Sequence, residues 1–214
     1  MTRALPMAVA AAAALSAVPA RALADADETS VHAEATAGAA QLGDPAGGEA
    51  ATVALVGGAV RATAATRDWF AWELEAYGGV TTAGRYTFDP GGGARALSRG
   101  AIVAGVDAGA TLRLGVRYIP TATLAVGPQL RLSPASRMVR ADTGVALGTA
   151  AANQAVDVTA RVSAGLDVRL GPRLVVGARA SVRQGLGLAA GSWRSFEGLI
   201  HASYYWYGGY WDLH

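Results

Sequence analysis

The sequence AVDVTARVSAGLDVRLGPRLVVGARASVRQG, residues 155–185, alternates between aliphatic side chains and polar or very small ones at almost every step. In its first half Val156 and Val162 stand at even positions, whereas Asp157 and Arg161 stand at odd positions. A period of two is typical of a β-strand, because successive side chains point to opposite faces of a sheet. One face of each predicted strand is therefore apolar, and the other carries the charges.

The same alternation recurs along most of the chain and predicts eight strands. Seven are predicted at residues 51–64, 68–82, 100–117, 121–133, 155–170, 173–186 and 197–211. An eighth strand, at residues 29–41, has to precede them so that the chain enters the sheet from the correct end. Pro128 falls inside a predicted strand, where it removes a backbone donor, and we expect a local bulge there.

Short and long connections alternate strictly between these strands. The short ones, with the Gly and Pro of tight turns, are predicted at residues 65–67, 118–120 and 171–172. The long ones, rich in Gly, Ala, Ser and Arg, are predicted at residues 83–99, 134–154 and 187–195. In an up-and-down sheet the tight turns then lie at one end, here named the turn end, and the long loops lie at the other, the loop end.

The first 24 residues have the pattern of a secretory signal peptide. Arg3 is the basic start, residues 5–18 form an alanine-rich apolar run, and Ala22-Leu23-Ala24 is a small-residue cleavage site. Cleavage would leave residues 25–214 as one domain, with 16 basic and 16 acidic residues and no cysteine. A neutral chain without a basic patch argues against a nucleic-acid partner, and the lack of cysteine excludes disulfides and thiolate zinc sites.

A sheet with one charged and one apolar face fits two opposite architectures: a soluble barrel or sandwich with an apolar core, and a membrane barrel with an apolar exterior. The strand lengths favour the membrane, since about 9 to 11 tilted residues cross the hydrocarbon. The asymmetry of turns and loops is also typical of such barrels. Aromatic residues gather near strand ends, as in two interfacial girdles. They are Trp69, Phe70, Trp72, Tyr118 and residues 204–211 toward the turn end, and Tyr86, Phe88, Trp193 and Phe196 toward the loop end.

The charged face mixes both signs, so that opposite charges can pair across a narrow interior. The acids are Glu73, Glu75, Asp107, Asp157 and Asp167, and the bases are Arg113, Arg131, Arg161, Arg169, Arg179 and Arg183. An eight-stranded barrel is just wide enough to be filled by its own side chains. We therefore expect an interior plugged by arginine and carboxylate pairs. Glycines on the same phase leave room for the arginines, namely Gly105, Gly109, Gly115, Gly165 and Gly177.

This layout resembles that of small eight-stranded bacterial outer-membrane barrels, such as the OmpA transmembrane domain, OmpX and the opacity-type proteins, over about residues 29–211. The resemblance implies a monomeric, porin-like, transmembrane β-barrel in the outer membrane of a Gram-negative bacterium. It implies a non-enzymatic structural or surface-interaction role, exerted through extracellular loops without a cofactor. The partners it implies are outer-membrane lipids and, during biogenesis, the barrel assembly machinery.

The predicted loops are basic, and this suggests a further partner. They carry few acids beside Arg85, Arg95, Arg99, Arg137, Arg140 and Arg194. A basic rim fits the phosphate groups of lipopolysaccharide, and ordinary solvated loop charge is the alternative.

One short motif suggests catalysis. His201-Ala202-Ser203 resembles the H-x-S of outer-membrane lipid A deacylases of the PagL type, in which a histidine activates a serine. The surrounding motif is missing, Asp212 is the only acid downstream, and both residues share the interior phase. We expect a core-facing, hydrogen-bonded pair, and we predict no catalytic, cofactor-binding or metal-binding residue. His32 and His214 are expected at the surface near the termini.

Overall fold

The computed structural model describes residues 28–43, 50–187 and 193–207, and most of them form β-strands. The predicted signal peptide at residues 1–24, Asp212 and His214 lie outside the described residues. The strands are β1 (Glu28–Leu42), β2 (Ala51–Arg67), β3 (Phe70–Thr81), β4 (Gly84–Phe88), β5 (Arg95–Arg99), β6 (Ile102–Arg113), β7 (Tyr118–Ser133), β8 (Ser136–Arg140), β9 (Ala146–Ala150), β10 (Asn153–Arg169), β11 (Leu174–Gly185) and β12 (Trp193–Tyr207). In the described ranges, no helix is long and apolar enough to cross a membrane.

Eight of these strands form a closed antiparallel barrel in the order β1, β12, β11, β10, β7, β6, β3, β2. Consecutive barrel strands are neighbours, and the first strand pairs with the last along its whole length, from Glu28 opposite Tyr207 to Leu42 opposite Trp193. The barrel therefore has no open edge, so all its backbone ladders are paired within the sheet. The predicted all-β, up-and-down, eight-stranded topology is confirmed.

The two faces of the wall are the ones that the alternation predicts. In β10 Arg161 is 1% exposed, whereas its neighbour Val162 is 59% exposed. Leu124 in β7 and Ile200 in β12 also point outward and are among the most exposed residues. Because the aliphatic face lies outside and the charged face inside, the soluble alternative with an apolar core is wrong. The barrel is of the transmembrane type.

Several local predictions along the strands are wrong. The first tight turn lies at residues 68–69, after a register shift between Ala65 and Arg67, and the second lies at residues 114–117. Gly115 adopts a positive φ of 100° in that second turn instead of lining the interior. Pro128 causes no bulge, since β7 keeps one register with β10 through it. Its missing N–H interrupts the ladder with β6 locally, and the register is the same on both sides, from Gly105 opposite Gln129 to Ala108 opposite Val126.

Two of the predicted loops contain a second sheet, named here the outer sheet, with the strand order β4, β5, β8, β9. Pairing of β5 with β8 joins the two loops above the barrel. The tip of the first hairpin uses Gly91 and Gly93 at φ 88° and 105°, conformations that favour glycine. The Asp89 carboxylate accepts the backbone N–H groups of Gly91 and Gly92, and these bonds lower the pKa of Asp89 below its usual value.

Among the side chains that the structure describes, exposed aromatic residues gather only at the turn end, and the predicted girdle members at residues 206–211 lie outside that description. Exposed aromatic side chains there are Trp69, Trp72, Tyr118 and Tyr204. Tyr205 is 3% exposed on the inward phase, so its predicted place in the girdle is wrong. At the loop end Phe196 faces outward, but Tyr86 and Trp193 are buried, so their predicted place in a girdle is wrong. Trp193 occupies an inward-facing position of β12. Its side chain therefore points into the barrel, although it lies at a strand end where an interfacial aromatic residue is expected. Tyr86 is turned inward because β4 folds over the mouth of the barrel.

Candidate functional site

A cluster of buried apolar side chains, here named the apolar plug, lies at the loop end of the interior. It brings together the loop-end residues of barrel strands and the inner face of the outer sheet. Its members are Ala40, Leu42, Val53, Leu55, Tyr86, Leu97, Ala101, Val103 and Trp193. Phe88 packs against it from the side. The polar layer below it is also buried, and in such a low-dielectric setting electrostatic contacts are stronger than in water.

Below the plug lies a layer of buried ion pairs centred on Arg161. Its Nε atom lies 3.1 Å from Asp107 Oδ2, and its Nη2 atom donates to Glu73 and lies 3.4 Å from Glu75 Oε2. Arg183 contacts Asp107 at 2.9 Å and Glu75 at 3.3 Å. Each carboxylate is thus shared between arginines of different strands, as a buried charge requires.

The layer extends to strands whose charges the alternation did not single out. Arg61 in β2 contacts Glu34 in β1 at 2.7 Å and Glu73 at 3.2 Å. Arg179 contacts Glu34 at 2.6 Å and also donates to Glu75. All eleven predicted interior charges point inward, and Glu34 and Arg61 join them there.

A third layer lies toward the turn end and contains two histidines. Arg61 Nη2 donates to His32 Nδ1 over 2.9 Å, and the Ser203 hydroxyl donates to the same nitrogen. His32 therefore carries its proton on Nε2, which donates to Ser30 Oγ over 2.7 Å. His32 is 1% exposed, so its predicted surface position is wrong. It occupies the inward phase of β1, together with Glu28, Ser30 and Glu34.

His201 and Asp167 meet across a glycine. In the sheet Gly177 of β11 pairs with His201 of β12 on one side and with Asp167 of β10 on the other. His201 Nε2 lies 3.1 Å from Asp167 Oδ1, but no ring N–H is aligned for a hydrogen bond, so this is a close contact only. A Cβ at position 177 would lie 2.6 Å from both the Asp167 carboxylate and His201 Cε1. Gly177 is therefore the residue that lets the two side chains meet.

The His201-Ala202-Ser203 motif does not form the contact that a deacylase needs. His201 and Ser203 both point into the interior, as the phase predicts, and both are buried. The imidazole that Ser203 contacts is that of His32. A serine in this position faces the enclosed interior instead of the acyl chains of a lipid.

The outer sheet concentrates positive charge at the loop end. Arg85, Arg137 and Arg140 are exposed, and Arg95 of β5 pairs directly opposite Arg140 of β8. The two other predicted rim arginines are held by the protein itself. Arg99 is buried and donates to the Ala151 carbonyl, and Arg194 donates to Gln184.

Few acids balance these arginines within the described part of the loop end. Asp89 accepts backbone N–H groups of its own hairpin tip and also interacts electrostatically with Arg95, and Asp142 accepts the backbone N–H of Thr143 over 2.7 Å. The outer sheet is thus basic.

Comparison with known proteins gives neighbours in fold. No protein-family model matches the chain, and no curated protein matches it. Neisserial surface protein A, from Neisseria, is similar in structure, with 11% identity over 84% of this chain and 96% of that chain and a TM-score of 0.50. The Ail protein of Yersinia pestis has 13% identity over 85% and 100% of the two chains, with a TM-score of 0.47. OprG from Pseudomonas aeruginosa has 10% identity over 86% and 98%, with a TM-score of 0.44.

The likeness to neisserial surface protein A, at this low identity, supports the fold alone. Together with the closed barrel and its outward aliphatic face, it defines the class of protein. The chain has the architecture of the small eight-stranded outer-membrane β-barrels, as the layout of the sequence predicts.

Proposed function

We propose that this chain is a non-enzymatic protein of the bacterial outer membrane whose outer sheet binds the phosphate groups of lipopolysaccharide. The loop end then faces the outside of the cell, and the turn end faces the periplasm. The proposal has two parts: an interior closed to solutes, and a basic surface that makes the functional contact.

The arginines of the outer sheet carry the second part. Arg95 and Arg140 lie directly opposite each other on adjacent strands, an arrangement of like charges that is unfavourable without an anion between them. A guanidinium group can donate two parallel hydrogen bonds to a phosphate, so arginine suits this ligand better than lysine does. Arg85 and Arg137 add charge on the exposed sheet without a competing ion pair among the described residues. These contacts support a phosphate-binding surface.

The contacts of the interior support closure. Ion pairs cross the middle of the barrel from β1, β2, β3, β6, β10 and β11, and the apolar plug lies above them. A solute would have to break several buried charge pairs to pass, each at a cost of about 3 to 5 kcal/mol. We therefore propose a scaffold that holds the outer sheet at the surface and conducts nothing.

The test is binding of the folded protein in detergent micelles to lipopolysaccharide and to the same lipopolysaccharide after enzymatic removal of its phosphates. We expect the double variant Arg95→Gln/Arg140→Gln to bind the phosphorylated form at least about tenfold more weakly, since each charge-assisted hydrogen bond contributes roughly 1.5 to 3 kcal/mol. Arg67→Gln is the matched control, because Arg67 is exposed at the turn end. Equal binding of both lipopolysaccharides, or equal binding by the double variant and wild type, would contradict the proposal.

A further inference from the structure

We propose that His32, His201 and Asp167 bind one divalent transition-metal ion, zinc or a metal of similar preference, inside the barrel near the turn end. The three residues come from β1, β12 and β10. An ion held by them would tie the first strand to the last, at the seam where the barrel closes. The site is separate from the outer sheet and adjoins the layer of ion pairs centred on Arg161 through Arg61, which donates to His32.

The donor atoms are already close to a binding arrangement. One donor atom from each of the three side chains lies within 4.8 Å of the other two. Zinc bonds of roughly 2.0 to 2.2 Å place neighbouring donors about 3.3 Å apart in a tetrahedral site. The 3.1 Å between His201 Nε2 and Asp167 Oδ1 is near that separation. His32 therefore has to approach the other two by no more than about 1.5 Å.

The types of donor atom select the class of metal. Two imidazole nitrogens and one carboxylate oxygen suit zinc and related transition metals, whereas magnesium and calcium prefer sites made of oxygen alone. The Ser203 hydroxyl is in contact with His32 Nδ1, so an oxygen that could serve as a fourth ligand lies next to one of the three residues. The set thus resembles three-residue zinc sites that complete their shell with a further oxygen.

The state of His201 is the independent observation that favours a ligand. Its side chain is 1% exposed, and neither ring nitrogen forms a hydrogen bond with a described residue. Buried polar atoms almost always have a partner, because an unmet donor or acceptor is destabilising. A metal ion would use the ring lone pair. The absence of a side chain at Gly177 leaves the space in which His201 and Asp167 converge.

The surrounding charges are compatible with a bound cation. Asp167 contacts His201, while Glu34, Glu73 and Glu28 contact arginines. Arg61, Arg179 and Arg113 are the arginines whose charges act on His32. Each is paired with carboxylates: Arg61 with Glu34 and Glu73, Arg179 with Glu34 and Glu75, and Arg113 with Glu28. Metal binding at His32 Nδ1 would replace the hydrogen bond from Arg61. Arg61 would keep its ion pairs with Glu34 and Glu73. The carboxylate of Asp167 is then the one that offsets the charge of the ion.

The first experiment uses the wild-type chain, which contains only three histidines. Folded protein in detergent, labelled with ¹⁵N on the imidazole rings and stripped with EDTA, is titrated with Zn²⁺ and followed by NMR. We expect the signals of His32 and His201 to shift together at one equivalent, while that of His214 stays in place. His214→Gln identifies the third signal. Shifts of His214 alone, or no shift of any histidine, would overturn the proposal.

The second experiment measures Zn²⁺ affinity by isothermal titration of the same stripped protein. Asp167→Asn and His201→Gln are expected to weaken binding by at least about 100-fold, because each removes a direct ligand and loss of a mere supporting contact already costs 10- to 100-fold. Asp157→Asn, an inward carboxylate of the same strand, is the matched control and should bind like wild type. Binding that Asp167→Asn leaves unchanged would refute the site.

Gly177→Ala provides a test that does not depend on the folding of the ligand variants. It keeps all three ligands but places a methyl group where His201 and Asp167 meet, so weaker Zn²⁺ binding is expected without loss of the barrel. Gel mobility before and after heating reports folding of every variant. If the ligand variants do not fold, the wild-type imidazole titration decides alone.

Discussion

Replacing Arg161 with methionine removes the cation at the centre of the buried ion pairs and leaves the side chain nearly the same length. Arg161 is 1% exposed and contacts three carboxylates, those of Glu73, Glu75 and Asp107. Breaking a buried pair by removing one partner destabilises a protein by about 3 to 5 kcal/mol. Each of the three acids keeps another arginine, for example Arg183 beside Asp107 at 2.9 Å. We therefore expect a loss near the lower limit, about 3 kcal/mol.

Urea unfolding of the protein in lipid vesicles, followed by tryptophan fluorescence, measures this loss. With a slope of roughly 2 kcal/mol per molar urea, the midpoint should fall by about 1.5 M. The double variant Arg161→Met/Asp107→Asn should recover about 1 kcal/mol, because it also removes the charge of a carboxylate that had lost one of its two arginines. Arg67→Met, at an exposed arginine, should change stability by no more than about 0.5 kcal/mol. A loss of stability below about 1 kcal/mol for Arg161→Met would refute the reasoning. Ion pairs that contribute so little are typical of solvent-exposed positions, and these pairs would then not be buried.

Three further predictions follow from other layers of the barrel. Trp193→Ala should lower the free energy of unfolding by about 3 to 5 kcal/mol, because Trp193 is buried in the apolar plug, and a loss no greater than that of Phe196→Ala would contradict the packing. In planar bilayers the wild-type chain should show no steady conductance, and regular channel steps would contradict closure. The lowered pKa of Asp89 should keep its carboxylate ionised, and the hairpin tip ordered, until the pH falls below the usual range for aspartate. Carboxyl NMR titration checks this, and an unshifted Asp89 midpoint would contradict it.

The architecture could be predicted from the sequence because a strand has a period of two. In β10 that period separates Asp157 and Arg161 from Val156 and Val162, and it predicts which face is inside once the strand lengths indicate a membrane. The positions of the tight turns are predicted less accurately. A proline such as Pro120 favours a turn, and the sequence alone does not show that it lies inside a strand. In the barrel it lies within β7.

The contacts between distant residues could not be predicted from the pattern. Small Ala and Gly side chains occupy both phases of β1 and β2, so Glu34 and Arg61 are hard to assign to a face. The pairing of β5 with β8 depends on two loops meeting above the barrel, which no local period records. The approach of His32 to His201 depends likewise on the register across the closing seam.

The inward phase of β1 was the signal that could have placed His32 inside. Glu28, Ser30 and Glu34 share its parity, and Val31 and Ala33 hold the outward one. The expectation of a surface histidine rested on nearness to the terminus. Phase is the better guide, because every second side chain of a closed barrel wall must face the interior.

Single cysteines at Val162 and Ser163 test the central claim most directly, because the chain has no cysteine of its own. In vesicles, a nitroxide label at Val162→Cys should collide with oxygen dissolved in the acyl chains and be shielded from a water-soluble nickel reagent. The thiol of Ser163→Cys, one residue further along β10 and buried, should react with neither polar nor apolar reagents. A Val162 label open to the nickel reagent, with a Ser163 thiol that reacts like an exposed one, would mean that the wall of the barrel does not face lipid.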